Sequence, residues 1–419
     1  MARILIVGGS LGGLLVANML LRDGHDVQVL EKAGGSLDGR GAGIVTHAAL
    51  SVALRRCGVP LDEALGVKVE SRVALDAQGF EVARLDKPQV LTSWSRLYAL
   101  LQRGFPADRI HGGMTVTAVN QDNRGVHITA INEAQAQIGF DGDLCVASDG
   151  LRSAVRAQFE PLSVPEYAGY IAWRGVCDEA ALSPLTRSTV FNQFGFGLPA
   201  GEQLIGYPVA GANNATAVGL RRWNFVWYRP AAAAELQDLL TDDDGLHHPL
   251  GIAPQRIRGP HVAAMLDAAH GLLAPQFAEI IRLTAQPFVQ PIFDVASSQL
   301  AHHRVALMGD AAFVARPHVG MGVTKAAEDA MALSDSIRAH GACADALAAF
   351  EALRLPAGLA VVQRARDLGA YLQAQSHARN TSIQRDAADV LRETAIDLGA
   401  PSYRANPTAN PNPSEAALH

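Results

Sequence analysis

The chain has 419 residues, more than one simple domain needs and suited to two closely joined ones. Its 35 Lys and Arg against 41 Asp and Glu leave a formal net charge of −6 with no basic run, which argues against nucleic acid as a partner. The 49% hydrophobic content supports a large core, yet no stretch approaches the roughly 18 continuous apolar residues of a membrane helix.

The N-terminus passes from Met1-Ala2-Arg3 straight into Ile4-Leu5-Ile6-Val7, without the cationic region and cleavage site of a signal peptide, so a soluble cytoplasmic protein is expected. Residues 4–7 predict a strand buried on both faces. Apolar positions from Leu14 to Leu21 predict a helix ending near Gly24, and residues 27–30 a second strand that stops at Glu31. This is a βαβ unit. Residues 144–147 and 305–308 predict further buried parallel strands, so one sheet is assembled from distant parts of the chain.

Between them, residues 165–285 change character to aromatic, glycine-punctuated alternation, which predicts an inserted, mostly antiparallel sheet. Within it, Trp223, Phe225 and Trp227 should share one face, and Asn224, Val226 and Tyr228 the other. Beyond residue 324 the chain is Ala-rich and helical to about 395, with Pro356 expected to end or kink a helix. Four prolines in residues 400–419 predict a loose tail. The expected fold is α/β: a Rossmann-type domain from residues 1–164 and 286–345, the inserted sheet domain 165–285, C-terminal helices 346–395 and a tail 396–419. Four scattered cysteines without a CxxC pair speak against a disulfide framework, and no metal site is expected.

The first βα turn reads Gly8-Gly9-Ser10-Leu11-Gly12-Gly13. Gly8 permits the tight turn and Gly13 close helix–strand packing, while Ser10 stands where the dinucleotide fingerprint has its second glycine. Glu31, 18 residues beyond Gly13, is placed to accept adenosine ribose hydroxyls. Gly309-Asp310 follows a predicted strand, and Gly320-Met321-Gly322-Val323 leads into a helix. A carboxylate at a strand end can hold a polyol, and a glycine-rich helix start offers free N–H groups. Ser148-Asp149-Gly150 is a third turn of this kind.

Three such motifs in this order resemble the FAD-dependent aromatic hydroxylases of the para-hydroxybenzoate hydroxylase family, over about residues 3–340. The resemblance implies FAD, bound by Gly8, Gly9, Ser10, Leu11, Gly12, Gly13, Glu31, Lys32, Gly43, Val116, Asp149, Asp310, Gly320, Met321, Gly322 and Val323. Val116 would touch adenine, Asp310 the ribityl and pyrophosphate region, and the Gly320–Gly322 backbone the isoalloxazine edge. It also implies NAD(P)H as co-substrate, O2, a small aromatic substrate and oxygen transfer through a C4a-hydroperoxyflavin. A homodimer is expected. Two positions depart from the family pattern: Trp94 stands where an arginine is common, and Pro317-His318 replaces Pro-Pro. The segments Ala172-Trp173-Arg174-Gly175-Val176 and Asn224-Phe225-Val226-Trp227-Tyr228 resemble the dihydroxypyridine hydroxylase branch instead.

That chemistry needs a ring held near the activated oxygen, a group to take a hydroxyl proton, and exclusion of water. His318, Tyr207 and His47 are the candidate catalytic residues, and Asn224, Tyr207 and His318 the candidate substrate ligands. Each also has a plain structural explanation: backbone-bonded loop histidine for His318, helix-start histidine for His47, core packing for Tyr207. Competing expectations are a hydroxylase of hydroxybenzoate, salicylate or urate type, a non-hydroxylating FAD oxidoreductase, an NAD dehydrogenase, or a non-catalytic flavin-binding partner protein.

Overall fold

The computed structural model describes residues 1–35, 43–61, 65–373 and 385–396. A six-stranded sheet runs Ala301–His302, Val305–Leu307, Leu144–Ala147, Arg3–Val7, Asp26–Leu30, Ile110–His111. Its neighbours are parallel except for the antiparallel edge at Ala301–His302. Ile4, Ile6, Val27, Val29, Leu144, Val146 and Val305 are fully buried, which explains their continuous apolar pattern. The helix Leu11–Arg22 starts one turn earlier than the apolar spacing alone indicated, and Gly24 at φ 88° closes it. It packs against the helix Gly322–His340. The parallel strands expected from separate parts of the sequence therefore do share one sheet.

The second sheet has nine strands, ordered Phe313–Val314, Phe288–Ala296, Glu166–Asp178, Arg222–Pro230, Gln203–Val209, Gln193–Gly197, Val67–Leu75, Glu81–Ser93, Gly43–Val45. It is antiparallel except where Gln193–Gly197 pairs with Val67–Leu75. The sheet reaches well outside residues 165–285 and draws three strands from the first hundred residues. The long polar alternation of Glu81–Ser93 hid this, because it resembles a surface hairpin as much as a domain component. A three-stranded meander, Thr115–Gln121, Val126–Ile131 and Gln137–Gly142, completes the β structure.

Both faces of the large sheet are covered, by different partners. Trp173, Trp223, Phe225 and Trp227 pack with Met265, Phe277 and Ile280 of the helices Gly259–Leu272 and Pro275–Arg282. Tyr170, Val226, Tyr228, Ile205 and Tyr207 lie in a separate cluster on the opposite face, as the alternation of residues 223–228 requires. The helix Ala344–Gly369 continues through Pro356 rather than ending there. Buried Phe350 on one side and Val361, Val362 and Ala365 on the other hold it across the missing N–H. Among the described residues no helix is long and apolar enough to cross a membrane. The expected tail falls almost wholly outside the described residues.

Candidate active site

The first turn leaves no room for side chains. A Cβ on Gly8, where φ is 100°, would sit 2.4 Å from the Ser148 carbonyl oxygen, and one on Gly13 would sit 1.9 Å from that of Gly8. Ser10 is the N-cap of Leu11–Arg22 but its side chain makes no capping bond, and the first turn carries no acid. The amides of Leu11, Gly12 and Gly13 thus face outward at the positive end of a helix, where a pyrophosphate is stabilised. Glu31 closes the turn: its Oε2 accepts from the Gly9 amide at 2.7 Å and its Oε1 from the Ala33 amide at 2.9 Å. The Met114 amide donates to the Glu31 carbonyl at 2.9 Å, which brings the strand of Val116 to the same edge, while Lys32 is exposed beside it.

Buried ions fix the second turn. The Gly309 amide donates to Asp329 Oδ2 at 3.0 Å, and Arg354 donates to Asp329 at 2.7 Å and Glu328 at 2.9 Å. Arg156 donates to the carbonyls of Ala311 at 2.9 Å and Leu151 at 2.5 Å, tying this turn to the Asp149-Gly150 turn. Asp310 is left with its carboxylate 55% exposed, 3.8 Å from the Nζ of a fully buried Lys325. Asp149 Oδ2 caps the helix Ala154–Phe159 by accepting from the Ala154 amide at 2.8 Å, whereas its buried Oδ1 has no partner among the described residues. Burial raises the Asp149 pKa.

Gly320 adopts φ 70°, and a Cβ on Gly322 would meet nothing within 4 Å, so open space precedes the helix Gly322–His340. Met321 is buried against Val361 and Ala365, leaving only backbone toward that space. Outward-facing amides at two helix starts, an exposed carboxylate and the orphaned Asp149 Oδ1 suit a dinucleotide with a polyol arm.

Between these turns and the large sheet lies a cavity of about 290 Å³. Gly43, Trp94, Arg174, Tyr207, Tyr228 and Gln290 line one side, and Asp310, Gly320, Gly322 and Val323 the other. A larger hollow of about 660 Å³ opens between Asp76, Gly197 and Arg385, away from every motif residue. Tyr207 meets the expectation of a cavity-lining side chain. Its ring lies so close to Gly43 that a Cβ there would be 2.3 Å from Cε2.

The other candidates stand back from the cavity. Asn224 is fully buried, and its Oδ1 accepts from the Gly43 amide at 3.1 Å, so it fixes the strand that carries Gly43. His318 does not line the cavity, because its Nε2 donates to the Ala365 carbonyl at 3.0 Å and its ring packs between Tyr170 and Tyr228. Burial lowers its pKa to about 4, so the imidazole is neutral near pH 7. His47 is the N-cap of Ala48–Arg56, and its Nδ1 lies 2.9 Å from Thr324 Oγ1 in the first turn of Gly322–His340. It braces that helix rather than the cavity.

A family model described as FAD binding domain matches residues 1–194, and a second, FAD binding domain-like, matches residues 167–294. The chain is 30% identical over 373 residues to 2,6-dihydroxypyridine 3-monooxygenase of Paenarthrobacter nicotinovorans, covering 88% of this chain and 91% of that one. It belongs to the FAD-dependent aromatic hydroxylases. The FAD-dependent urate hydroxylase of Klebsiella pneumoniae is 28% identical, with 87% and 88% covered. The solved structure of 2,6-dihydroxypyridine-3-hydroxylase from Arthrobacter nicotinovorans superposes with a TM-score of 0.82 at 29% identity, over 89% of this chain and 93% of that one.

In this flavin hydroxylase, several residues of the site carry no motif. Arg174 and Gln290 line the cavity and hydrogen-bond each other at 2.6 Å. The available signal was alternation: Arg174 shares strand parity with Tyr170 and Ala172, so a charged residue had to face inward. Lys325 and Arg354 lay in helical sequence that gives no hint of burial.

Proposed function

We propose that this enzyme hydroxylates an electron-rich, hydroxylated N-heteroaromatic ring, a dihydroxypyridine, ortho or para to an existing hydroxyl, with NAD(P)H as the electron donor. One observation carries the proposal: the cavity has the flavin-motif turns as one wall and an aromatic, donor-bearing sheet face as the other. The 30% identity to a dihydroxypyridine monooxygenase supports the ring class.

Bound and reduced, FAD supplies the activation of O2 that a closed-shell ring cannot achieve. Residues 8–13 and the start of Leu11–Arg22 would hold its pyrophosphate, with Glu31, Lys32 and Val116 at the adenosine end. Asp310 would hold the ribityl chain, Asp149 the adjoining polar edge, and Gly43 with Gly320, Met321, Gly322 and Val323 the ring system. The protein's remaining task is to orient the substrate and exclude water. Burial raises the pKa values of Tyr207 and Tyr228, so both phenols stay neutral and orient ring oxygens by hydrogen bonding. His318 and Asn224 serve this pocket as supports behind it, and His47 as a brace for the flavin-side helix.

The test is a screen of 2,6-dihydroxypyridine, 6-hydroxynicotinate, 4-hydroxybenzoate, salicylate and urate with NADH and NADPH, recording reductant oxidised, product formed and peroxide released. A dihydroxypyridine should stimulate oxidation and account for it as hydroxylated product. Stimulation by a hydroxybenzoate or urate instead would overturn the substrate class.

A further inference from the structure

Among the described residues Arg174 is a cation without a counter-ion. Its sole side-chain hydrogen bond among them runs from Nη1 to the Gln290 amide oxygen at 2.6 Å, and no carboxylate pairs with it. Its Nε is buried with no partner. The nearby titratable groups are Tyr207 and Tyr228, both neutral phenols, and the Tyr228 hydroxyl is also buried without a partner. The ring of Phe288 lies 5.9 Å from the guanidinium and offers only a weak cation–π contact. Asp310 is the single carboxylate among the described cavity-lining residues, and it faces Lys325. Arg174 is half-buried, with its Nε shut off from solvent. A guanidinium held unpaired in such a place is costly, so a cation kept here calls for an anion delivered from outside. Gln290 adds to the case, since it fixes one arm of the fork and has no charge with which to neutralise it.

We propose that Arg174 is the specificity-determining residue of the ring pocket, and that the substrate binds with an anionic oxygen against its guanidinium. This rests on the aromatic hydroxylase reading and narrows it to rings that ionise. A ring hydroxyl binding at Arg174 would give up its proton to solvent on entry, leaving the ring oxygen ionised. Guanidinium, permanently charged and planar, suits a flat oxyanion better than an ammonium does. The nearby tyrosine hydroxyls would complete the donor set.

The experiment is calorimetric titration of the oxidised FAD-loaded enzyme in buffers of different ionisation enthalpy. The probes are 2,6-dihydroxypyridine for a ring oxyanion, 6-hydroxynicotinate for a carboxylate, and neutral 2-methoxypyridine. The ionising rings should bind and the neutral ring should not, with 2,6-dihydroxypyridine releasing protons in step with its un-ionised fraction. Arg174→Gln should weaken anion binding roughly 10- to 100-fold and abolish that proton release. Arg174→Lys should restore part of both, and Gln290→Leu, which only frees the guanidinium, should weaken binding less.

Unchanged affinity and proton release in Arg174→Gln would overturn the proposal, as would equal binding of the neutral ring. Should Arg174→Gln not fold, wild-type affinity and proton release in both Arg174→Lys and Gln290→Leu would overturn it too. If 6-hydroxynicotinate binds through Arg174 and 2,6-dihydroxypyridine does not, the dihydroxypyridine reading falls and the role of Arg174 stands. If no ring binds the wild-type enzyme, both fall.

Discussion

The flavin-side wall of the cavity, with Asp310, Gly320 and Gly322, continues into the turn of residues 8–13 beyond the cavity, and this side presents mostly backbone. The opposite wall, on the strands Glu166–Asp178, Gln203–Val209 and Arg222–Pro230, presents side chains: Arg174, Tyr207 and Tyr228. Amides at helix starts recognise phosphate whatever the neighbouring side chains are, so the first wall suits a cofactor shared across a family. Side chains on a sheet can be exchanged without moving the strand, so under the proposed function substrate choice falls to the second wall. If this division holds, damage to the first wall should remove cofactor outright. Damage to the second should leave a folded flavoprotein that binds the wrong ring.

The largest effect should come from Gly13→Ala. Its Cβ would lie 1.9 Å from the Gly8 carbonyl oxygen, a backbone atom that cannot swing aside. The helix must then separate from the turn, and the variant should purify without yellow colour or not fold. Full FAD content, measured by absorbance of the released flavin, would show that this wall tolerates side chains and break the comparison.

Arg354→Met tests whether buried ions hold the Gly309 turn. The arginine is 5% exposed and pairs with both Glu328 and Asp329, the latter accepting from the Gly309 amide. Removing one member of a buried ion cluster costs about 3–5 kcal/mol. Thermal and urea unfolding should both report a loss of that size, with FAD affinity lowered as the Asp310 turn loosens. A wild-type urea midpoint would mean that the turn is held by backbone alone.

The two walls also differed in how much their sequence disclosed. Turns that need glycine, and an acid at the end of a strand, have few alternatives, so Gly8, Gly13, Glu31 and Asp310 stood out. The parallel sheet was equally legible, since strands buried on both faces are continuous apolar runs. Arg174, Gln290 and Tyr228 come from positions 174, 290 and 228, brought together by strand pairing that no local pattern specifies. For the same reason His318 looked like a flavin neighbour by its place between two motifs. Only the packed helix Ala344–Gly369 reveals that its Nε2 is bound to the Ala365 carbonyl. The extent of the large sheet was hidden because the three strands at one edge lie in the first hundred residues and the strand at the other edge is Phe313–Val314, all outside the aromatic segments that signalled it.

His318 gives a smaller, pH-dependent effect on the substrate side. Its folded-state pKa is lowered to about 4 by burial, against an ordinary value of 6.5. The unfolded chain therefore takes up the proton first, so the stability is fully present above pH 6.5 and is lost as pH falls toward 4. Between pH 7 and pH 5 the loss attributable to this group is about 2 kcal/mol. His318→Gln, which can still donate to the Ala365 carbonyl, should show a shallower decline in urea midpoint over that range. Parallel declines in the two proteins would place the imidazole in contact with water and make its burial irrelevant.

The smallest effect should follow from Glu31→Gln, and it separates the walls most cleanly. Both carboxylate oxygens accept backbone amides, from Gly9 and Ala33, and the amide side chain can replace only one of them. One charge-assisted bond becomes a neutral one and the other is lost, a change of about 1–2 kcal/mol partly offset by water at this half-buried site. FAD should bind several-fold more weakly by fluorescence titration. Because Glu31 is not among the residues lining the cavity of Arg174 and Tyr207, the ratio of hydroxylated product to reductant consumed, measured at saturating FAD, should equal that of the wild type. A variant that binds FAD normally but diverts oxygen to peroxide would mean that the cofactor wall also governs how the ring is held, and the division of labour between the two walls would be lost.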